Sequence, residues 1–370
     1  MSQNDARVQP PPAKRVRTDS PPAERESQVA FYSSRGKKLA LEDVVVTRHA
    51  LDGGACRDVS FHAVLDGHGG SDCANWAAAR LPELLSARLA GKDESAAIKE
   101  AVKAAFAECD QELLAHSAAQ NWDDGTCVIG LLVDKRCKPA RAYVSNLGDS
   151  RAFAAVRTDL ADRPASAAPP AAPEAGSSST CVAPSAAAAP PALRAVALSK
   201  DHTAIDPRER KRIEAAGGHV LNGRVNGLLA VSRSLGDRRL KRGGVPGHGQ
   251  APLATSLCVA TPDVTSFEIG PQQAFVLLGC DGLWSAFSGA QAVEWLGERL
   301  PALDRRRAEL GALLDDANAC AGIKSERLVQ LRAEREGASE EGVLRAMVTE
   351  AVHGRHAKDN VTALLVRLDV

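Results

Sequence analysis

Four carboxylates, Glu42, Asp66, Asp281 and Asp359, stand at the rims of apolar, β-rich runs. The runs are LALEDVVVTRH (Leu39 to His49), FHAVLDGHGG (Phe61 to Gly70), AFVLLGCDGLW (Ala274 to Trp284) and KDNVTALLVRL (Lys358 to Leu368). Asp66 and Asp281 follow their runs, whereas Glu42 and Asp359 precede theirs. In antiparallel strands the end of one and the start of the next share a sheet edge, so acids far apart in the chain are expected to converge on one such edge. Clustered carboxylates repel one another, and the usual remedies are raised pKa values or a divalent metal. Taken singly, Asp-Gly and Lys-Asp-Asn are ordinary turn residues. Four such sites in one chain point to a metal-binding edge.

The rest of the composition narrows the field. Lys plus Arg and Asp plus Glu number 46 each, so no global field argues for nucleic acid or an anionic membrane as a partner. Nine cysteines lie scattered without CxxC or other metal-ligand spacing, and no secretory apolar segment opens the chain. They read as reduced thiols of an intracellular, soluble protein. No apolar run approaches the roughly 18 residues of a membrane span. Strands and helical patterns are mixed without βαβ alternation, which favours α+β with antiparallel sheets and flanking helices.

Residues 1–28 carry clustered prolines and charges with almost no large apolar residues, so they are expected to be disordered, with the folded domain occupying 29–370. Within this tail, PPAKRVRTD displays Lys14, Arg15 and Arg17 as a compact basic cluster, the pattern of a nuclear import signal read by an import receptor, or simply a solvated basic patch. The expected localisation is nucleus, cytoplasm or both. A second break, 158–193, is rich in Ala, Pro and Ser and reads as a loop inserted between strands. The preceding segment, ARAYVSNLGDSRAFAAV, reads as a hairpin turning at Gly148-Asp149. Helical periodicity covers Asp72 to Leu89, Glu94 to Ala118, Arg208 to Ala216 and Ala290 to Glu336, with 304–336 read as an inserted helical hairpin.

Motifs follow one another in a specific order: VLDGHGG (Val64 to Gly70), DGTCV (Asp124 to Val128), NLGDSRA (Asn146 to Ala152), LSKDH (Leu198 to His202), EAAGG (Glu214 to Gly218), LAVSRSLGD (Leu229 to Asp237), TPDV (Thr261 to Val264), CDGLW (Cys280 to Trp284) and DNVT (Asp359 to Thr362). The ordered set resembles the PP2C-type metal-dependent Ser/Thr protein phosphatase family. The resemblance implies an αββα sandwich of two mostly antiparallel sheets flanked by helices, with surface insertions. It further implies two Mg²⁺ or Mn²⁺ ions, a phosphoprotein substrate, hydrolysis by a metal-activated water without a covalent phosphoenzyme, and a monomer. Asp66 would bridge both ions. Asp281 and Asp359 would complete one site, and Glu42 with the Gly67 carbonyl the other, with Asp43 one layer behind. His68 would be the general acid, since an imidazole titrates near working pH. Asp149 matches a residue that binds a further, weaker ion in some relatives, or else serves the turn. His202 reads as fixing a loop, and Gly125-Thr126 and Arg233 to Asp237 as structural.

Two positions depart from the family pattern. Many members place an arginine where this chain has Lys38; lysine keeps the charge and loses the planar fork that grips phosphate, unless Arg35 takes its place. Ser285 stands where the family usually carries another acid. These departures favour a competing reading, a binding module that kept the fold and lost turnover. A third reading is a hydrolase of small phosphorylated molecules, with the glycine-rich Leu240 to Thr261 segment setting substrate choice.

Overall fold

The computed structural model describes residues 29–158, 192–244, 252–319 and 325–368. The tail with Lys14, Arg15 and Arg17, nearly all of the 158–193 insertion and part of the Leu240 to Thr261 segment lie outside the described residues. In chain order the strands are β1 (Val29–Ser34), β2 (Val44–Arg48), β3 (Val59–His68), β4 (Gly125–Asp134), β5 (Arg141–Leu147), β6 (Arg151–Arg157) and β7 (Leu193–Ala197). They continue with β8 (Val220–Leu221), β9 (Arg224–Val225), β10 (Leu235–Gly236), β11 (Asp263–Glu268), β12 (Gln273–Gly279) and β13 (Val361–Arg367). The α-helices are α1 (Asp72–Leu89), α2 (Ser95–Gln120), α3 (Pro207–Ala215), α4 (Asp281–Ala286), α5 (Gly289–Ala319), α6 (Ser325–Gly337) and α7 (Glu340–Thr349).

One sheet has the order β1-β13-β12-β6-β7, the other β11-β5-β4-β3-β2 with β10 added on β4, and the pairings within both are antiparallel. Alternation along β3 explains the layers: Phe61, Ala63 and Leu65 join the core under α1 and α2, while Val64 joins Ile129, Val276 and Leu364 between the sheets. A third core, with Leu277, Leu296, Met347 and Leu365, packs α5 and α7 on the outer face of the other sheet. All ten residues of β4 are buried because both of its faces are covered. The result is an αββα sandwich.

Local chemistry sets the helix ends. Asp206 accepts from the Arg208 and Glu209 amides ahead of Pro207, and α3 stops where Gly217 takes a positive φ of 84° and the Gly218 amide reaches the Ile213 carbonyl.

Three expectations change. The Gly148-Asp149 turn is not a hairpin: β5 and β6 belong to different sheets, and Gly148, at φ 109°, turns the chain from one to the other. A hairpin and a corner of this kind share the same glycine-containing signature, and only the long-range partners separate them. Asp66 and Asp281 likewise meet from different sheets rather than along one edge. Finally, α5 runs unbroken from Gly289 to Ala319, so the helical hairpin begins in mid-helix. Its two arms are joined by Leu310, Leu314 and Leu331 and by an Arg306–Glu334 ion pair.

Candidate active site

The site forms where the two sheets bring strand ends together. Pairing of Val44 with Leu65 sets Asp43 and Asp66 side by side at the end of the β2–β3 pair. In the other sheet, Gly279 pairs with Ala363, which places Cys280 and Asp281 beside Asn360, Val361 and Thr362. Bonds then cross between the sheets. Thr362 Oγ1 lies 2.6 Å from Asp43 Oδ2, and the Asp281 amide donates to Asp66 Oδ2 at 3.4 Å. Ser150 Oγ also reaches Asp66 Oδ2 at 3.4 Å.

Asn360 fastens the loop that carries Glu42. Its Oδ1 accepts from the Glu42 amide at 2.8 Å, and its Nδ2 donates to the Arg35 and Ala40 carbonyls at 3.0 and 2.9 Å. The Asp359-Asn360 motif drew attention to the carboxylate, while the amide beside it is the loop's anchor. Gly67 is required by the same loop: a Cβ there would stand 2.5 Å from the Glu42 carbonyl oxygen.

Electrostatics mark the cluster as strained without a counter-charge. Burial pushes the Asp66 carboxyl well above the usual range, and Asp43, Asp281 and Asp149 push it further. Burial likewise raises Asp43 to about 6, and burial together with Asp149 and Asp359 raises Asp281 to about 7. Asp149 is raised by burial and by Asp201. Asp43 Oδ1 is buried with no hydrogen-bond partner, and oxygens of Asp43 and Asp66 lie within 4.8 Å of one another and of Cys280 Sγ. The two carboxylates of this group offer the hard oxygen donors that suit Mg²⁺ or Mn²⁺, whereas burial holds the Cys280 thiol protonated and a poor ligand; Glu42, Asp281 and Asp359 lie outside this tight group.

Lys38 and Arg35 separate clearly. Lys38 Nζ sits 2.9 Å from Asp359 Oδ1; that bond, together with Asp359, Glu42 and Asp281, holds its pKa above the ordinary value. Arg35 instead folds back on its own turn, its guanidinium donating to the Leu39 carbonyl at 3.3 Å. The cation bonded to the acids is Lys38, whereas Arg35, the alternative the sequence left open, is bonded to its own turn. Ser285 Oγ donates to the Gly282 carbonyl.

His68 lies at the end of β3 with Nε2 2.8 Å from Asp237 Oδ2. Burial opposes its protonation, yet the Asp237 carboxylate outweighs this and the pKa is raised. The sequence presents Asp237 only as part of a structural turn, and its contact with His68 emerges from the fold. The one signal was its position in a Gly-Asp pair, since Gly236 and Asp237 both adopt positive φ, 78° and 51°. Gly125 leaves the room for this contact, because a Cβ there would meet the Asp237 carboxylate and stand 2.7 Å from His68 Nε2. His202 fixes a loop, as expected: its Nδ1 accepts from the Gly148 amide at 3.3 Å. Asp149 both occupies the crossover turn and feels Asp66, Asp281 and His68.

Comparison with known proteins bears on the family and the fold. The family profile described as Protein phosphatase 2C matches residues 28–159 and 175–311, which include Glu42, Asp66 and Asp281. The chain is 32% identical over 337 residues, 90% of its length and 72% of the other, to "Probable protein phosphatase 2C 67" of Oryza sativa subsp. japonica. It is 30% identical over 321 residues to the "Integrin-linked kinase-associated serine/threonine phosphatase 2C" of Homo sapiens, covering 84% of this chain and 63% of that one. In fold it is similar to the crystal structure of a serine-threonine phosphatase 2C from Toxoplasma gondii, with a TM-score of 0.61 at 20% identity over 94% of this chain and 97% of that one.

Proposed function

The chain belongs to the protein phosphatase 2C family, and from that premise we propose that it removes phosphate from phosphoserine and phosphothreonine in proteins at the carboxylate cluster, with two Mg²⁺ or Mn²⁺ ions and His68 as general acid. The observation that supports this most is the meeting of Asp43 and Asp66 from one sheet with Asp281 from the other, their carboxyls raised by burial and mutual repulsion. Such a charge excess is relieved by protons or by divalent cations, and a metal-dependent hydrolase uses the second.

Asp66, Asp281 and Asp359, with Glu42 and the Gly67 carbonyl, would hold the ions, and Asp43 would stand behind them. When bound, paired divalent ions lower the pKa of water and neutralise phosphate oxygens. Lys38 offers its ammonium to the substrate phosphate as a point charge. His68, oriented by Asp237 at 2.8 Å, delivers a proton to the departing serine or threonine oxygen. The Asp237 carboxylate favours the imidazolium that this role requires.

The test is phosphate release from a phosphothreonine peptide with Mn²⁺ and with chelator, beside Asp66→Asn. Metal-dependent release, abolished in a variant that still melts cooperatively, is expected. Absence of release from folded wild-type protein at every metal concentration would overturn the reading in favour of a binding module.

The tail motif supports a second assignment, import into the nucleus through Lys14, Arg15 and Arg17. Replacing all three with alanine in a fluorescent fusion is expected to shift signal to the cytoplasm, and an unchanged nuclear signal would remove the assignment. Among the described residues no helix is long and apolar enough to cross a membrane.

A further inference from the structure

Lys241 is 3% exposed and Asp110 8% exposed, so the structure buries a full ion pair in a region the phosphatase chemistry above leaves without a role. Lys241 Nζ lies 2.9 Å from Asp110 Oδ2, and its second bond, also 2.9 Å, goes to the Ser234 carbonyl. The other Asp110 oxygen, Oδ1, accepts from the Gly236 amide at 3.0 Å. One carboxylate on α2 and one ammonium beyond β10 thus grip the 234–237 turn from two sides. Ser234 Oγ donates to Asp237 Oδ2, the same oxygen that meets His68 Nε2.

The turn needs such a grip. Asp237 is a non-glycine residue at φ 51°, and Gly236 beside it is at φ 78°. Left-handed backbone at a residue with a side chain is strained and persists only where its surroundings over-determine it. Burying an unpaired charge is costlier still, and an apolar pair of similar volume would stabilise a fold at least as well. Simple stability is therefore a poor reason for this pair, whereas fixing one geometry is a good one.

We propose that Asp110 and Lys241 form a positioning pair for the phosphatase reaction, holding the Ser234–Asp237 turn so that Asp237 orients His68 toward the leaving group. This rests on the reading of His68 as general acid. Neither residue touches the acids or the substrate position; both act through the turn.

The experiment compares wild type, the near-isosteric double variant Asp110→Asn/Lys241→Met, His68→Gln and the triple combination, all with Mn²⁺. Removing both charges together avoids leaving one stranded, and a melting curve checks each fold. Two substrates are used: a phosphothreonine peptide, whose alkoxide needs a proton, and p-nitrophenyl phosphate, whose leaving group departs without one. The double variant is expected to lose at least about tenfold in kcat on the peptide, within the range general acid catalysis supplies, with KM and aryl phosphate turnover nearly unchanged. It is expected to add no further loss in the His68→Gln background, the signature of residues acting as a unit. Equal losses on both substrates, no loss, or losses that multiply with His68→Gln would overturn the proposal. If His68→Gln alone treats both substrates alike, the acid role fails instead. The positioning role is then judged by whether the double variant's loss disappears in the His68→Gln background.

Discussion

At the residue scale, the proposed function gives the cation facing the acids the task of holding substrate phosphate. Lys38 is bound to Asp359 at 2.9 Å but is nearly half exposed, so the pair itself adds little stability. In the proposed reaction it would supply charge to the phosphate, and an ammonium supplies charge without a bidentate fork. Lys38→Arg is therefore expected to lower KM for a phosphopeptide by about fivefold, equivalent to ~1 kcal/mol, with kcat held. Lys38→Ala is expected to raise KM while the melting temperature stays within about a degree, as for exposed ion pairs. Steady-state kinetics on the two variants check this, and a KM indifferent to both would place phosphate recognition elsewhere. Residue-scale reading of the sequence singles out Lys38, Glu42, Asp66, Asp281 and Asp359 from type and neighbours, and the fold sets Asp66 beside Asp281 and Lys38 beside Asp359. That reading missed Asp237 and Asn360, whose work depends on where a turn and a side-chain amide land in three dimensions.

At the element scale, β3 carries His68 at its C-terminal end and His62 in its buried middle. His62 pairs across to Thr47 and Leu131, is fully buried, and has neither ring nitrogen hydrogen-bonded. Burial, with His49 and Lys135 adding repulsion, drives its pKa down to about 3 from 6.5. The unfolded chain therefore binds a proton below pH 6.5 that the folded chain refuses until about pH 3. Its effect is absent above pH 6.5; as pH falls toward 3, stability is lost at about 1.4 kcal/mol per unit. His62→Phe removes both the proton and two unsatisfied polar atoms. It should stabilise the protein by about 1–3 kcal/mol at pH 7 and flatten the loss of stability between pH 6 and 5. Urea unfolding at the two pH values reads both effects, and an unchanged pH slope would mean that His62 finds a partner in solution. Element assignment from sequence succeeded where periodicity was long, as in α1, found over Asp72–Leu89 as expected. It failed at Gly148, because a strand's own residues specify its two faces but not which sheet supplies its neighbours.

At the scale of the whole molecule, the sandwich stores charge repulsion at one end, and cation binding should be coupled to both stability and pH. Asp43 and Asp281 have folded pKa values of about 6 and about 7, far above the ordinary carboxylate value of 3.8. In the cation-free protein these groups hold protons near neutrality that the unfolded chain has already released. Their burden on the fold therefore grows as pH rises from about 4 through 7 and is relieved by acid, opposite in sign to His62. A divalent cation must displace those protons, so its binding should release them and weaken as pH falls from 8 to 6. At a hundredfold excess over Kd, Mn²⁺ is expected to add about 2.7 kcal/mol at pH 8. The gain should shrink markedly at pH 6 and vanish in Asp66→Asn, whose fold survives because one repelling charge is gone. Calorimetric titration in buffers of different ionisation enthalpy measures the proton release directly, and thermal melting with and without Mn²⁺ measures the stabilisation. Binding that releases no proton and is equally tight at both pH values would show that the raised carboxyls are not the cation's ligands, and would move the ion site away from the meeting of the two sheets.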